Sequence, residues 1–200
     1  MTKDFYHQLI TQRSWKILQT LRKNYDFILI GGWAVWIYTE ALKSKDIDLI
    51  IDYPALAKFK SDFNLQKNER LKKYEARIQE TEIDIYLPFY SDLGFPMEKI
   101  QKQTVSRKGF VLPSPEILLV LKQVAFSSRQ GSIKGEKDKV DIFSLIFSEE
   151  FDYNAYQKLI KKEGFDNFKN QLKKLLKTTF EIPQLKITRH QMARLKKKFI

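Results

Sequence analysis

The first twenty-odd residues carry their apolar side chains at roughly helical spacing, with Phe5, Leu9, Trp15, Leu18 and Leu21 on one side. That pattern predicts an amphipathic helix over residues 4–23. It then changes abruptly. Phe27–Ile30 is a short unbroken apolar run ending at Gly31-Gly32, which reads as a buried strand. Residues 33–42, WAVWIYTEAL, predict a compact helix, in which Trp33 and Trp36 pack into the core. Residues 46–52, DIDLIID, predict a second strand closed by Tyr53-Pro54, and Pro54 can open a short helix to about Phe63. Residues 65–80 hold one or two weaker strands. Residues 81–88, TEIDIYLP, form a clear strand: Ile83, Ile85 and Leu87 face one way, Glu82 and Asp84 the other.

A loop is expected around Gly94-Phe95-Pro96 and an edge strand near Phe110–Leu112. Beyond Pro113 the pattern is helical throughout. Ser114-Pro115-Glu116 combines an N-cap serine, a proline at the first helical position and an acidic first turn. Helices are predicted over 115–128, 137–147, 153–163, 166–177 and 188–198. The expected fold class is α/β (α+β). A domain with a small mixed sheet, residues 1–112, is followed by a helical C-terminal domain, residues 113–200.

The chain has 200 residues, 43% of them apolar, enough for a sizeable core. It contains no cysteine, which excludes disulfides and thiolate metal sites and fits a reducing, cytoplasmic location. The N-terminal residues lack the apolar core of a signal peptide, and no stretch reaches membrane-spanning length, so no membrane partner is expected. The formal charge of +12 favours encounter with polyanions, nucleic acid and nucleotides alike. Much of that excess lies in one C-terminal block.

The candidate chemistry lies between Gly31 and Asp84. Thirteen residues separate Gly31-Gly32 from Asp46-Ile47-Asp48. Residues two apart in a strand share a face, so Asp46 and Asp48 project together while Ile47, Leu49 and Ile51 enter the core. Aspartate is depleted in strands, and two side by side repel. A divalent cation removes that penalty, and hard carboxylate oxygens on a rigid strand suit magnesium. Two such ions need a third carboxylate, for which Asp84 is the candidate and Glu82 its competitor. The glycine pair, between a strand and a helix, lets backbone N–H groups approach a phosphate closely.

This arrangement resembles the nucleotidyltransferase superfamily related to DNA polymerase beta: a strand, a glycine pair, a short helix, an Asp-x-Asp strand and a later third Asp. The likeness covers roughly residues 27–87. Gly31-Gly32-Trp33-Ala34-Val35 looks like the glycine motif of small antibiotic nucleotidyltransferases, although Trp33 stands where the superfamily often has Ser or Thr. Lys43-Ser44-Lys45-Asp46-Ile47-Asp48 looks more like the form in toxin-type (AbiEii-like) and minimal nucleotidyltransferases. Those proteins also carry a helix Lys, a later Arg and a Lys-Asp-x-x-Asp helix, matched here by Lys122, Arg129 and Lys137–Ile142.

The resemblance implies transfer of a nucleoside monophosphate from a nucleoside triphosphate such as ATP to an acceptor hydroxyl, with Mg2+ or Mn2+ as cofactor. It makes Asp46, Asp48 and Asp84 the metal ligands and catalytic residues. It places Gly31, Gly32, Lys43, Ser44 and Lys122 on the nucleotide, with the Asp138/Asp141 helix bracing the site. It leaves RNA such as tRNA, a small molecule or a protein as acceptor, and a helical domain closing over the site. The alternative is a non-catalytic module of the same shape that binds RNA or protein, as in a toxin–antitoxin system.

Overall fold

The computed structural model describes residues 3–199, with side chains from Gln8 onward. Phe5, expected on the apolar face of the first helix, lies outside the described side chains. The chain divides into two compact units, Met1–Ser114 and Pro115–Ile200.

The first unit opens with helix α1 (Lys3–Asn24), strand β1 (Ile28–Ile30), helix α2 (Gly31–Thr39) and strand β2 (Ile47–Ile50). Helix α3 (Tyr53–Asp62) and strands β3 (Gln66–Asn68), β4 (Lys73–Ile78) and β5 (Thr81–Tyr86) follow. Helix α4 (Met97–Lys102) and strands β6 (Thr104–Arg107) and β7 (Phe110–Pro113) complete it. The strands form one sheet in the order β3-β4-β5-β2-β1-β7-β6, with β2 at its centre. β2 runs antiparallel to β1 and parallel to β5, and β1 runs parallel to β7, so the sheet is mixed.

Alternation decides which face is buried. Ile47, Leu49, Ile83 and Ile85 are fully buried on one face of β2 and β5, while Asp48 and Asp84 stand on the other. α1 packs against β5. Trp33 is also fully buried. Its indole N–H donates to Ser14 Oγ at 2.8 Å, and the Trp15 ring of α1 lies 5.0 Å away. The indole thus satisfies its one polar atom and fills the core between α1 and α2.

Two expectations for this unit need correction. α2 starts at Gly31, so the glycine pair forms its first turn and does not precede it. The strand at Phe110–Leu112 is not an edge, because β7 lies between β1 and β6. The true edge, β6, is the polar segment TVSR with Val105 and Ser106 exposed, and carries no hydrophobic signal.

The second unit contains α5 (Pro115–Ser128), α6 (Ile133–Phe147), α7 (Tyr153–Lys162), α8 (Asp166–Thr178), a single 3-10 turn at Pro183–Leu185 and α9 (Arg189–Phe199). α6 starts four residues earlier than expected. Ser132 caps it, its Oγ accepting from the Gly135 N–H at 3.0 Å. Gly135, which argues against helix in sequence, fits there because a Cβ would meet the Arg129 carbonyl oxygen at 2.1 Å. Packing centres on the fully buried Gln123 of α5. Its amide donates to the Phe168 carbonyl at 2.9 Å and to Gln171 Oε1 at 3.0 Å, and accepts from the Tyr156 hydroxyl at 2.6 Å. A buried amide is tolerated only with such partners. No described helix is long and apolar enough to cross a membrane.

Candidate active site

The centre of the sheet brings Asp46, Asp48 and Asp84 to one face. Asp48 is registered with Asp84 of β5 on one side and with Ile30 of β1 on the other. Registered residues on neighbouring strands project to the same face, and Asp46, just before β2, precedes Asp48 by two. All three carboxylates are partly exposed. Glu82 shares their face but is exposed and paired in register with Arg77 of β4, so the position beside Asp48 belongs to Asp84.

Gly31 abuts this face directly. Its φ is +69°, a left-handed conformation, and a Cβ built on it would sit 2.0 Å from Asp48 Oδ2. Only glycine permits both the turn and the close approach. Ile30, the N-cap residue of α2, makes no side-chain hydrogen bond to the helix start where Gly31 and Gly32 lie. The first-turn amides there suit an anion. The residues present therefore fit both a divalent cation and a phosphate: carboxylates that repel one another, beside backbone donors at a helix start.

Burial holds the Asp84 carboxyl above its ordinary value; Lys73 opposes the rise, while Glu75 and Asp46 add to it. The Lys73 ammonium lies 2.6 Å from Asp84 Oδ2 and 2.9 Å from Glu75 Oε1. Burial works against its charge, but hydrogen bonds to Asp84 and Glu75 outweigh that and raise the Lys73 pKa. Lys73 and Glu75 escaped the sequence reading. Both stand on the same face of the sheet as Asp84, and their role depends on the pairing of Glu75 with Asp84 across strands, which local pattern does not show. Among the described residues no three acidic or histidine side chains are gathered tightly enough to hold a metal as they stand.

The remaining sequence candidates differ in their surroundings. Lys43 is exposed, its ammonium 5.9 Å from the centre of the Trp36 ring. Ser44 is buried, 3% exposed, not open to a ligand. Lys122, in the second unit, is 9% exposed and clamped by Asp141 Oδ2 at 2.7 Å and Asp138 Oδ1 at 3.2 Å. Arg129 Nε lies 3.3 Å from Asp138 Oδ2. The Asp138/Asp141 helix therefore holds Lys122 itself. Replacing Lys122 with Met should destabilise the protein by about 3 kcal/mol, because two buried carboxylates lose their shared cation. Urea unfolding of the variant checks this; an unchanged midpoint would mean that Arg129 alone neutralises the cluster.

A cavity of about 360 Å³ lies between Arg22, Tyr25, Ile28, Asp52 and Phe110. It opens at the far end of β1 and β2 from Gly31 and Asp48, and is not part of the carboxylate site.

No protein-family profile matches the chain, and no curated protein matches its sequence. Solved structures do match. The solution structure of the antibiotic-resistance factor ANT(2'')-Ia aligns with 84% of this chain and 96% of its own, at 15% identity and a TM-score of 0.54. JHP933 from Helicobacter pylori aligns with 98% of this chain and 90% of its own, at 16% identity and a TM-score of 0.48. The Megavirus polyadenylate synthase aligns with 74% of this chain at 12% identity and a TM-score of 0.48, and the match spans 32% of the viral protein. A central Asp-bearing strand beside a strand–glycine–helix turn, in a mixed sheet with helices, gives this chain the nucleotidyltransferase fold.

Proposed function

We propose that the protein is a metal-dependent nucleotidyltransferase. An acceptor hydroxyl attacks the α-phosphorus of a nucleoside triphosphate; the new O–P bond forms as the bond to the β-phosphate oxygen breaks, and pyrophosphate leaves. The observation that supports this most is the registered pair Asp48 and Asp84 beside Gly31. Asp46 and Asp48 would hold two divalent ions, and Asp84 the ion nearest the acceptor. Bound Mg2+ or Mn2+ supplies charge neutralisation at the entering and leaving oxygens. The amides of Gly31 and Gly32 orient the triphosphate, and Asp84 takes the hydroxyl proton. Burial suits Asp84 to that role, because it raises the carboxyl toward a useful basicity.

The acceptor we favour is RNA. Residues 158–200 hold thirteen Lys and Arg against three Asp and Glu, ten of the chain's twelve net positive charges. Phosphate backbones are the partners such a block attracts, and the attraction weakens steeply with salt. The test is incubation with each labelled triphosphate and Mg2+, with and without total RNA, at two salt concentrations. Label is expected to enter RNA, less at high salt. Label on a small molecule or on protein instead would reassign the acceptor. The buried indole of Trp33, where a phosphate-binding hydroxyl often stands, favours the rival reading of a non-catalytic RNA-binding module. That reading wins if RNA binds while neither Mg2+ nor triphosphate raises the melting temperature at millimolar concentration.

A further inference from the structure

The third carboxylate already has a cation. Lys73 Nζ lies 2.6 Å from Asp84 Oδ2, closer than to Glu75 Oε1 at 2.9 Å, and its side chain is only 11% exposed. Asp84 and Glu75 are registered partners across the antiparallel β4–β5 pair, so the ammonium sits between two neighbouring carboxylates. The second of these is the more open, with a side chain 37% exposed against 21% for Asp84. It is also anchored by Asn68, whose Nδ2 donates at 3.0 Å to Glu75 Oε1, the oxygen that Lys73 touches.

We infer that Lys73 is a built-in counter-ion that must leave Asp84 before a divalent ion can use it, and that Glu75 is where it goes. The inference rests on the reading of Asp84 as a metal ligand. Its physical basis is local. A partly buried carboxylate facing Asp46 and Asp48 needs positive charge nearby, and Lys73 supplies it. A divalent ion on Asp84 would then meet an ammonium at hydrogen-bond distance from the same carboxylate. Like charges so close in a partly desolvated site cannot both stay. Lys73 need not travel far, because it already touches Glu75. It would give up one carboxylate and keep the other, with Asn68 holding Glu75 in place to receive it. Lys73 is a positioning residue here, acting through Asp84, and touches neither triphosphate nor acceptor.

The consequence is that Lys73 weakens metal binding in the resting protein and Glu75 moderates that weakening. The test is Mn2+ titration of the full chain without nucleotide, followed by electron paramagnetic resonance of the free ion. Lys73→Met should bind Mn2+ more tightly than wild type, by about tenfold or more, the scale of effect seen for groups that hold metal ligands. Lys73→Arg, which keeps the charge, should stay close to wild type. Glu75→Gln changes a half-exposed side chain and should fold normally. It removes the receiving carboxylate, so it should bind Mn2+ more weakly than wild type. A structural role for the Lys73 pair would lower stability in these variants without moving Mn2+ affinity in opposite directions. If wild type binds Mn2+ and Lys73→Met binds it no more tightly, the inference about Lys73 fails and the metal site stands. If neither binds, both fail.

Discussion

Asp48→Asn should lower turnover by more than about 100-fold while leaving the fold intact. Groups one step removed from a metal already cost 10–100-fold when lost, and Asp48 is placed to touch the ions themselves. Asparagine has the same shape and keeps one oxygen, so the packing of β2 does not change. Its neutral amide cannot offset an ion's charge. The substitution also removes one of three like charges on a face that holds Asp46 and Asp84. The melting temperature without metal should therefore stay level or rise, because the repulsion falls. This opposite movement of activity and stability separates a ligand from a merely structural aspartate. Incorporation of label from triphosphate, read beside a thermal melt, checks both. Wild-type turnover in Asp48→Asn would sink the proposed reaction.

The parts of the site legible in sequence are those whose signal is local. Asp46 and Asp48 stand out because strands rarely carry alternating aspartates, and Ile47 and Leu49 fix which way they point. Gly31-Gly32 is legible as a break between apolar segments, although the chain alone does not say that the helix begins at Gly31 itself. Trp33 reads as core from spacing, and its burial against α1 agrees. What the sequence conceals is pairing across strands. That Asp84 and not Glu82 stands beside Asp48 follows from a register four residues long between β2 and β5, set by tertiary packing. Lys73 and Glu75 lie on a strand, KYEARI, that alternates polar and apolar residues, but the alternation does not say which strand it pairs with, and only that pairing sets Glu75 beside Asp84. β6 and α4 are short and polar, so hydrophobic patterning passes over them. Lys122 shows the reverse case. The resemblance puts it on the nucleotide, with the Asp138/Asp141 helix bracing the site, whereas in the second unit those two carboxylates hold the lysine itself.

Gly31→Ala should reproduce the activity loss of Asp48→Asn without touching a carboxylate. Two costs fall on this substitution, and a second glycine separates them. The backbone at Gly31 has φ +69°, and at Gly164, after α7, φ is +74°. Alanine in either place must adopt a left-handed conformation, which costs roughly 1–2 kcal/mol. The surroundings differ. A Cβ at Gly164 meets nothing within 4 Å, whereas at Gly31 it would lie 2.0 Å from Asp48 Oδ2 and 2.9 Å from Asp48 Cβ. Atoms cannot stay at those distances, so either the Asp48 side chain rotates away or the start of α2 shifts off the sheet. Both displace what the reaction needs: the first moves a metal-binding oxygen, the second moves the amides that face the triphosphate. Misplacement by 1 Å can cost about 100-fold in rate. Gly164→Ala should therefore lose stability and keep full turnover, while Gly31→Ala loses at least as much stability and about 100-fold or more in turnover. Denaturant midpoints and label incorporation on the two variants give the comparison. Equal turnover in both would mean that the fit of Gly31 against Asp48 is a packing feature alone, and that the reaction tolerates a shifted Asp48.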